Sequence, residues 1–288
     1  MYETHWHLDS KPFENTPDPR FLYFSAKYEE ALMRLLYVAR EHKQGAILTG
    51  EYGSGKTLLS MALLKDLKNN ESLQTVLIVN PRLSNKELLR EVLFQMGKKE
   101  ALSIQEESDL RRLVEEQLRQ NLQTQKRTVL VIDEAQILDE KQLEEFRLLF
   151  NFKTQTEFLL TLILIGQSEL KKKVQNVEPL QQRLSLRFHL EPLSLKELKG
   201  YVNHRLSVVG RTEPLFSPLA MRLIHEGSQG IPRQVNNICD FALLIGFARK
   251  KSQVGAKIVK DCLKDLELKL PEKKEDKGDK DGADSRYF

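Results

Sequence analysis

The sequence predicts a three-layer α/β fold built on a parallel β-sheet, followed by a small all-helical domain. Short apolar runs alternate with helix-like segments over most of the chain, and this alternation is typical of a parallel sheet covered by helices on both faces. A glycine-rich loop at 50–57 joins one apolar run to a helix-like segment, as loops that bind phosphate do. After Pro192 only helix-like segments follow, which marks the second domain.

The composition is that of a globular protein without a membrane span. The 288 residues include 45 basic and 41 acidic side chains, for a net charge of +4, and 40% are hydrophobic, which is enough for a core. The most apolar stretch, 158–166, is far shorter than the roughly 18–20 residues that cross a bilayer. Cys239 and Cys262 stand in apolar helical contexts, and the chain start lacks a secretion-signal pattern. We therefore expect buried reduced thiols and a cytoplasmic location.

The N-terminal segment, 1–25, is rich in proline and aromatic residues. It is predicted to contain no helix, because each proline restricts its own φ and the residue before it. A first helix is predicted from Ser25, which can cap it, and Leu32, Leu35 and Leu36 recur at helical spacing.

The α/β domain, predicted at 26–191, alternates strands with helices. The run 75–79 is rich in β-branched residues, which favour a strand. Ser84 and Glu87 form a capping-box pattern that predicts a helix start. The predicted strands are 46–49, 75–79, 128–133, 158–165 and 186–190, and the predicted helices between them are 56–67, 84–96, 109–122 and 140–152.

The helical lid domain is predicted at 192–270. From 271 to 288 the chain consists mostly of Lys, Glu, Asp and Gly, a composition with too little apolar surface to fold. We expect that last segment to be a disordered charged tail. The helices predicted within the lid are 194–208, 218–226, 232–249 and 256–268.

The loop GEYGSGKT at 50–57 matches the phosphate-loop pattern GxxxxGK[ST] in full. Its glycines let successive N–H groups point at one phosphate, and the N-terminus of the following helix adds partial positive charge. Lys56 can reach the β- and γ-phosphates, and the Thr57 hydroxyl can bind Mg²⁺. The expected nucleotide contacts are Gly50, Glu51, Tyr52, Gly53, Ser54, Gly55, Lys56, Thr57 and Leu58.

An acidic pair, Asp133 and Glu134, directly follows a fully apolar strand. Ligands of parallel sheets bind at the carboxyl ends of the strands, so both carboxylates are expected near the phosphate loop. Asp133 is expected to bind Mg²⁺, and Glu134 to orient or deprotonate the attacking water. Two adjacent carboxylates repel each other, and a bound cation relieves that repulsion.

Further short segments narrow the class of protein. They are 12–13, 16–23, 80–83, 133–136, 164–167 and 230–236. Together with the phosphate loop and the acidic pair, they resemble an AAA+ ATPase, and more narrowly the ATPase domain of the ExeA/GspA family, over about residues 5–268. Similar ATPase domains occur in MSHA-biogenesis ATPases and in the transposition regulators TnsC and MuB.

This resemblance implies roles for three polar side chains around the γ-phosphate. Gln167 ends a strand and resembles a sensor residue, the alternative being an ordinary strand-terminal side chain. Asn80 resembles the residue that pairs with the catalytic Glu134 and restrains it, the alternative being a turn before a proline. Arg233 resembles a second sensor that reaches the γ-phosphate from the lid, the alternative being a surface arginine.

The resemblance also implies contacts from a neighbouring subunit and with the base. One of two arginines near the last strand, Arg183 or Arg187, is expected to act as an arginine finger on the neighbour's nucleotide. The alternative is that both are ordinary surface charges. Pro19, Phe21 and Tyr23 are expected beside the adenine, where an apolar slot suits a purine; packing onto the core is the alternative.

The expected function is therefore Mg-dependent ATP hydrolysis at the subunit interfaces of a homo-oligomeric ring or filament. Hydrolysis would drive or switch the assembly of a protein client, of the secretion or pilus type. One alternative is an ATP-dependent DNA-binding regulator of the transposition type, with basic clusters at 171–173 and 249–251. Another is a nucleotide-binding switch with negligible turnover. The client and the oligomer number stay open.

Overall fold

A computed structural model describes residues 1–16 and 18–268; the predicted tail lies outside these ranges. Five strands form one parallel sheet in the order β2-β3-β4-β1-β5, which confirms the predicted fold class. β1 and β4 are buried along their whole length. The strands are β1 Gly45–Gly50, β2 Leu73–Ile78, β3 Arg127–Ile132, β4 Leu160–Gly166 and β5 Leu184–Leu190.

The strand register brings the carboxyl ends of β1, β3 and β4 together at one edge of the sheet. Thr49 of β1 pairs with Gly166 of β4, and Ile132 of β3 pairs with Leu164 of β4. Because each strand then leads directly into a loop, the residues that follow these three strands lie beside one another. This edge contains the residues predicted to bind nucleotide.

Helices cover both faces of the sheet, as expected for buried parallel strands. One face packs against α2 and α3, and the other against α4 to α8, in two separate hydrophobic clusters. No helix among the described residues has the length and apolar content that crossing a membrane requires. The helices up to the end of the sheet are α1 Glu3–Trp6, α2 Ala26–Arg40, α3 Lys56–Lys68, α4 Asn85–Gln95, α5 Glu107–Gln123, α6 Glu140–Leu149, α7 Glu169–Gln175 and α8 Glu178–Arg183.

The predicted helix starts at Ser25 and Ser84 are confirmed. The Ser25 hydroxyl accepts a hydrogen bond from the Tyr28 backbone N–H, and Ser84 and Glu87 form the complete capping box. Each cap satisfies N–H groups that lack partners within the helix.

Two predicted boundaries and one omission need correction. The helix predicted to reach residue 152 ends at Leu149, because the backbone N–H groups of Asn151 and Phe152 bond three residues back in tight turns. The strand predicted from 158 begins at Leu160, because 153–158 forms its own antiparallel bridge. The sequence patterns also missed α7 and α8, which are too short, at seven and six residues, for a periodic pattern to emerge.

The second hydrophobic unit of the molecule combines the lid helices with the N-terminal segment. Trp6 is 1% exposed and donates its indole N–H to the Leu243 carbonyl at 3.0 Å. Tyr2, Phe13 and Phe21 join the same cluster. The lid helices are α9 Leu195–Val208, α10 Pro218–Ser228, α11 Pro232–Ala248 and α12 Ala256–Asp265.

The prediction that residues 1–25 contain no helix is wrong. α1 forms within the first eight residues, which contain no proline. A single 3-10 turn, Pro19–Phe21, begins at a proline, where the fixed φ and the missing N–H suit a helix start. The domain boundaries at 25, 191 and 270 stay predictions.

Candidate active site

The phosphate loop runs from β1 into α3 and needs two of its glycines for steric reasons. Gly53 and Gly55 have φ angles of +79° and +96°, a region that side chains with a Cβ rarely adopt. A Cβ on Gly53 would lie 2.6 Å from the Cβ of Arg233, and one on Gly55 would lie 2.9 Å from the Tyr28 hydroxyl. The loop is therefore packed tightly between the lid and α2.

Lys56 is the first residue of α3 and is 6% exposed. Its ammonium group donates to the carbonyls of Gly50 and Glu51, at 3.0 and 2.9 Å. Burial lowers the pKa of Lys56, while the nearby carboxylates of Glu134 and Asp133 oppose that shift. The loop thus holds a buried positive charge close to the acidic pair.

Asp133 comes directly after β3 and is 3% exposed. Its Oδ2 accepts from the Ser60 hydroxyl at 3.1 Å, and its Oδ1 accepts from the Glu134 backbone N–H at 2.9 Å. Burial raises the pKa of Asp133, and these two hydrogen bonds counter it. Since Ser60 lies one turn after Thr57 on α3, its hydrogen bond fixes the carboxylate beside the start of that helix.

These side chains fit a magnesium nucleotide. Mg²⁺ prefers oxygen ligands and keeps several from phosphate and water, so one hydroxyl and one carboxylate from the protein are sufficient; Thr57 and Asp133 offer them. The Ser54 hydroxyl is buried without a hydrogen-bond partner in the part of the chain that the structure describes. A phosphate oxygen would satisfy it, because buried hydroxyls are normally paired.

Glu134 adopts a left-handed backbone conformation, with a φ of +53°. Its carboxylate accepts a hydrogen bond from the side-chain amide of Gln136 at 2.6 Å. The carbonyl oxygen of the same amide accepts from the backbone N–H of Gln167 at 2.9 Å. Sequence reasoning included Gln136 in a family segment but assigned it no role.

Asn80 and Gln167 occupy the strand ends where they were expected, but the contact of the Asn80 side chain differs from the expectation. The exposed Asn80 side chain accepts from the Arg82 backbone N–H at 3.3 Å, which is the turn alternative. The partner of Glu134 is Gln136 rather than Asn80. Gln167 enters the network through its backbone N–H.

Arg233 lies at the start of α11 and contacts the phosphate loop twice. Its backbone N–H donates to the Gly53 carbonyl at 3.2 Å, and its Nη1 donates to the Tyr52 hydroxyl at 2.5 Å. The guanidinium also lies 4.9 Å from the centre of the Tyr52 ring. The lid is thereby joined to the loop at the residue that was predicted to sense the γ-phosphate.

A cavity of about 360 Å³ lies between the phosphate loop, Glu134, the lid and the N-terminal segment. An apolar cavity of about 40 Å³ adjoins it and is lined by Phe21, Tyr23 and Leu58. Pro19, the third residue expected beside the base, lines neither cavity. Side chains that line the large cavity include Lys56, Thr57, Glu134, Tyr201, Arg205 and Arg233.

Arg205 is a cavity residue that sequence reasoning missed. It is 3% exposed, and it donates to the carbonyls of Pro12 and Glu14 and to the Tyr201 hydroxyl, at 2.5, 2.9 and 2.8 Å. Its guanidinium also lies 4.5 Å from the centre of the Phe21 ring. A single arginine in a helix carries no sequence signal for this role, because its partners lie about 190 residues away.

Arg183 and Arg187 lie away from the chain's own phosphate cavity. Arg183 precedes β5 at the edge of the sheet opposite the loop and donates to the Arg147 carbonyl and the Asn151 side chain, at 2.9 and 3.0 Å. Arg187 is exposed and donates to the Gln181 carbonyl at 2.7 Å. Any contact of either guanidinium with a nucleotide therefore requires a second subunit.

The parallel sheet, the phosphate loop and the acidic pair define an AAA-type P-loop ATPase. The sequence family described as "AAA domain" matches residues 39–174. Within this class, the chain resembles General secretion pathway protein A of Aeromonas hydrophila, with 38% identity over 258 residues. The match covers 88% of this chain and 46% of that protein, so the chain spans about half the length of its curated relative. The resemblance to the ExeA/GspA ATPases is confirmed.

Solved structures with the same fold include ORC proteins. The Aeropyrum pernix ORC2 protein, solved as ADPNP and ADP complexes, has a TM-score of 0.65 and 13% identity, over 90% of this chain and 72% of its own. Drosophila ORC bound to DNA has a TM-score of 0.67 and 18% identity, over 93% and 66% of the two chains. At these identities the likeness supports the fold alone.

Proposed function

We propose that this chain binds ATP with Mg²⁺ and hydrolyses it at the interfaces of a homo-oligomer, to drive or switch the assembly of a partner complex. The observation that carries the proposal is one cavity lined by Lys56, Thr57, Glu134 and Arg233. A phosphate-binding cation, a metal-binding hydroxyl, a carboxylate and a lid arginine thus face the same space. These are the groups that in-line attack of water on a γ-phosphate requires.

Each side chain has a distinct part in the proposed reaction. Lys56 stabilises the charge that develops on the β- and γ-phosphates, and Glu134 orients the attacking water. Thr57 and Asp133 would hold Mg²⁺, which supplies charge neutralisation to the phosphate oxygens when bound. Arg233 closes the lid over the γ-phosphate by leaving the Tyr52 hydroxyl. Phe21 and Tyr23 are proposed to pack on the base, since they line the adjoining apolar cavity.

We assign the trans-acting arginine to Arg187 rather than to Arg183. Both terminal nitrogens of Arg183 donate within its own chain, so they are already committed to structure. Arg187 is exposed, and its guanidinium donates to the Gln181 carbonyl through Nη2 alone among the described residues. An arginine finger must be free to reach the nucleotide of the neighbouring subunit, where it raises the rate of hydrolysis about 10³–10⁵-fold.

The kind of partner is proposed from the similarity to General secretion pathway protein A, whose name places it in a secretion pathway. The DNA-binding alternative has less structural support in its two basic clusters. Lys173 donates to the carbonyls of Gln136 and Leu138, at 2.6 and 2.8 Å, and Arg249 pairs with Asp261 at 2.5 Å. Two of the six charges in these clusters are therefore engaged within the chain.

The test of hydrolysis compares the native chain with Glu134→Gln at several protein concentrations, with and without Mg²⁺. We expect the variant to lose about 10²–10⁴ in turnover, the usual worth of a general base, and ATP binding to persist. Glu226→Gln, an exposed change on α10, is the matched control. Equal rates for the native chain and Glu134→Gln would contradict the proposed hydrolysis and favour the alternative of a nucleotide-binding switch with negligible turnover.

A mixing experiment tests the interface. Arg187→Ala keeps its own Glu134, and Glu134→Gln keeps its own Arg187, so each is expected to be inactive alone. In a mixed oligomer the Glu134→Gln subunit supplies its arginine to the neighbour's intact site, and activity should return. A mixture as inactive as its components would exclude Arg187 as the trans residue, and the same mixture with Arg183→Ala then tests the alternative.

A further inference from the structure

We propose that Gln136 is a positioning residue that restrains Glu134 and links it to the strand end that senses the γ-phosphate. This inference rests on the proposed hydrolysis. Its basis is a single side-chain amide whose two ends contact two different parts of the site. Nothing in the sequence motifs requires this bridge.

The bridge is direct at both ends. Nε2 of Gln136 donates to Oε2 of Glu134 at 2.6 Å, and Oε1 of Gln136 accepts from the Gln167 backbone N–H at 2.9 Å. Because the nitrogen and the oxygen belong to one planar amide, a displacement of the oxygen with Gln167 turns the amide plane and changes the direction in which its N–H group points toward Glu134. The position of the Glu134 carboxylate is therefore tied to the position of the β4 end.

The backbone around Gln136 is built to hold this bridge. A Cβ on Gly166, the last residue of β4, would lie 2.7 Å from Oε1 and 3.0 Å from the backbone N of Gln136. Only a glycine lets the two segments approach so closely. Lys173 donates to the carbonyls of Gln136 and Leu138, which fixes the 3-10 turn Ala135–Ile137 against α7.

The consequence is that Glu134 can act as the catalytic base only when nucleotide is bound. The donor from Gln136 takes one acceptor site of Glu134 Oε2 and fixes the orientation of the carboxylate, so the carboxylate cannot turn freely toward an attacking water. When the Gln167 side chain engages a γ-phosphate, its backbone shifts and the Gln136 amide must turn. Glu134, which already lines the cavity, is then free to turn toward the attacking water at the moment when the substrate is in place.

The first experiment measures the bridge without any turnover. In the nucleotide-free protein, the Gln136 side-chain amide should give a solvent-protected NMR signal, identified by its loss in Gln136→Ala or Gln136→Glu. Adding a non-hydrolysable ATP analogue with Mg²⁺ should remove that protection. A signal that is unprotected from the start, or equally protected in both states, would overturn the proposal. This readout stands whether or not the chain hydrolyses ATP.

The second experiment measures the restraint through kinetics. Gln136→Ala should raise basal kcat about fivefold, the size of one hydrogen bond, with KM unchanged because the phosphate loop is intact. In the Glu134→Gln background the same change should have no effect. Gly166→Ala leaves Gln136 in the sequence but displaces its side-chain amide, so this variant should also raise basal kcat. Gln123→Ala, on the exposed face of α5, is the control.

Two kinetic outcomes would contradict the restraint. One is a folded Gln136→Ala protein whose kcat falls or stays unchanged. The other is an equal effect of Gln136→Ala with and without Glu134. Failure of the hydrolysis proposal itself looks different, since the native chain and Glu134→Gln would then already have equal rates.

Discussion

The guanidinium of Arg233 donates to the hydroxyl of Tyr52, so a lid side chain is bonded to the third residue of the phosphate loop. The backbone N–H of Arg233 also bonds to the next loop residue, Gly53. The backbone contact can persist while the side chain turns toward a phosphate. Tyr52 is 61% exposed, so it offers the arginine a resting position that costs little to leave.

Arg233→Ala should separate lid sensing from lid stability. We expect kcat/KM to fall about 10–100-fold, as for the loss of one hydrogen bond to a charged group. Tyr52→Phe keeps the ring and removes only the acceptor, so its effect should stay within about fivefold. Arg222→Ala on the exposed face of α10 is the matched control. An Arg233→Ala rate equal to that of the control would exclude a role in hydrolysis, and steady-state kinetics decides.

Gly53→Ala should weaken nucleotide binding beyond the cost of its backbone conformation. Gly97, with a φ of +91° and no atom within 4 Å of a built Cβ, provides a strained but uncrowded comparison. Both substitutions should lower the free energy of unfolding by about 1–2 kcal/mol. Only Gly53→Ala also collides with Arg233, so it alone should raise the Kd for ATP, by roughly tenfold. Calorimetric binding and urea unfolding of both variants measure the two effects; equal Kd values would contradict the steric argument.

Arg205→Met should destabilise the lid together with the N-terminal segment. The change leaves the carbonyls of Pro12 and Glu14 without their donor, and each unpaired buried group costs about 1–3 kcal/mol. We expect a loss of at least 2 kcal/mol in the free energy of unfolding, and faster proteolysis near residue 16. Arg222→Met is the exposed control. Arg205→Lys should recover part of the loss, since its ammonium can still donate.

The two cysteines should be silent in the folded protein. Burial raises the pKa of Cys262 from its ordinary 9.0 to about 12, and burial also raises that of Cys239 well above 9.0. Both thiols therefore stay protonated at pH 8 and should react with a thiol reagent only after urea unfolding. Rapid labelling of the native protein at pH 8 would contradict this.

The raised pKa of Cys262 also makes the stability of the folded protein depend on pH. A raised pKa in the folded state favours folding below pH 9.0, and this contribution is lost as the pH rises toward about 12. The free energy of unfolding should therefore fall between pH 9 and 11. Cys262→Ala, which has no thiol to titrate there, should show a shallower fall over the same range.

The parts of the fold that follow from sequence have local signals. The loop sequence at 50–57 predicts both the end of β1 and the start of α3. Ser25 and Ser84 predict helix starts because each caps the backbone N–H group three residues later. Asp133 could be placed beside the loop because parallel strands end at a common edge. Such inferences need only short-range patterns and the topology of parallel sheets.

The parts that escaped prediction depend on distant partners. Gln136 gained its contacts from Gln167 across the sheet edge, and Arg205 from carbonyls of the N-terminal segment. Neither the residue type nor its spacing in the sequence predicts such a contact. Asn80 was expected to pair with Glu134 because of its position in the family pattern, whereas the structure pairs Glu134 with Gln136.

The packing of Trp6 against α11 also has a consequence for biosynthesis. Trp6 and its carbonyl partner are separated by 237 residues, and at about 5–20 residues per second their synthesis is roughly 10–50 s apart. The aromatic side chains near the N-terminus must therefore wait, uncovered, while the α/β domain forms between them and their partners. Contacts of such long range form late and fold slowly. The nascent chain thus has a period of vulnerability to aggregation, which a chaperone that binds apolar segments would shorten.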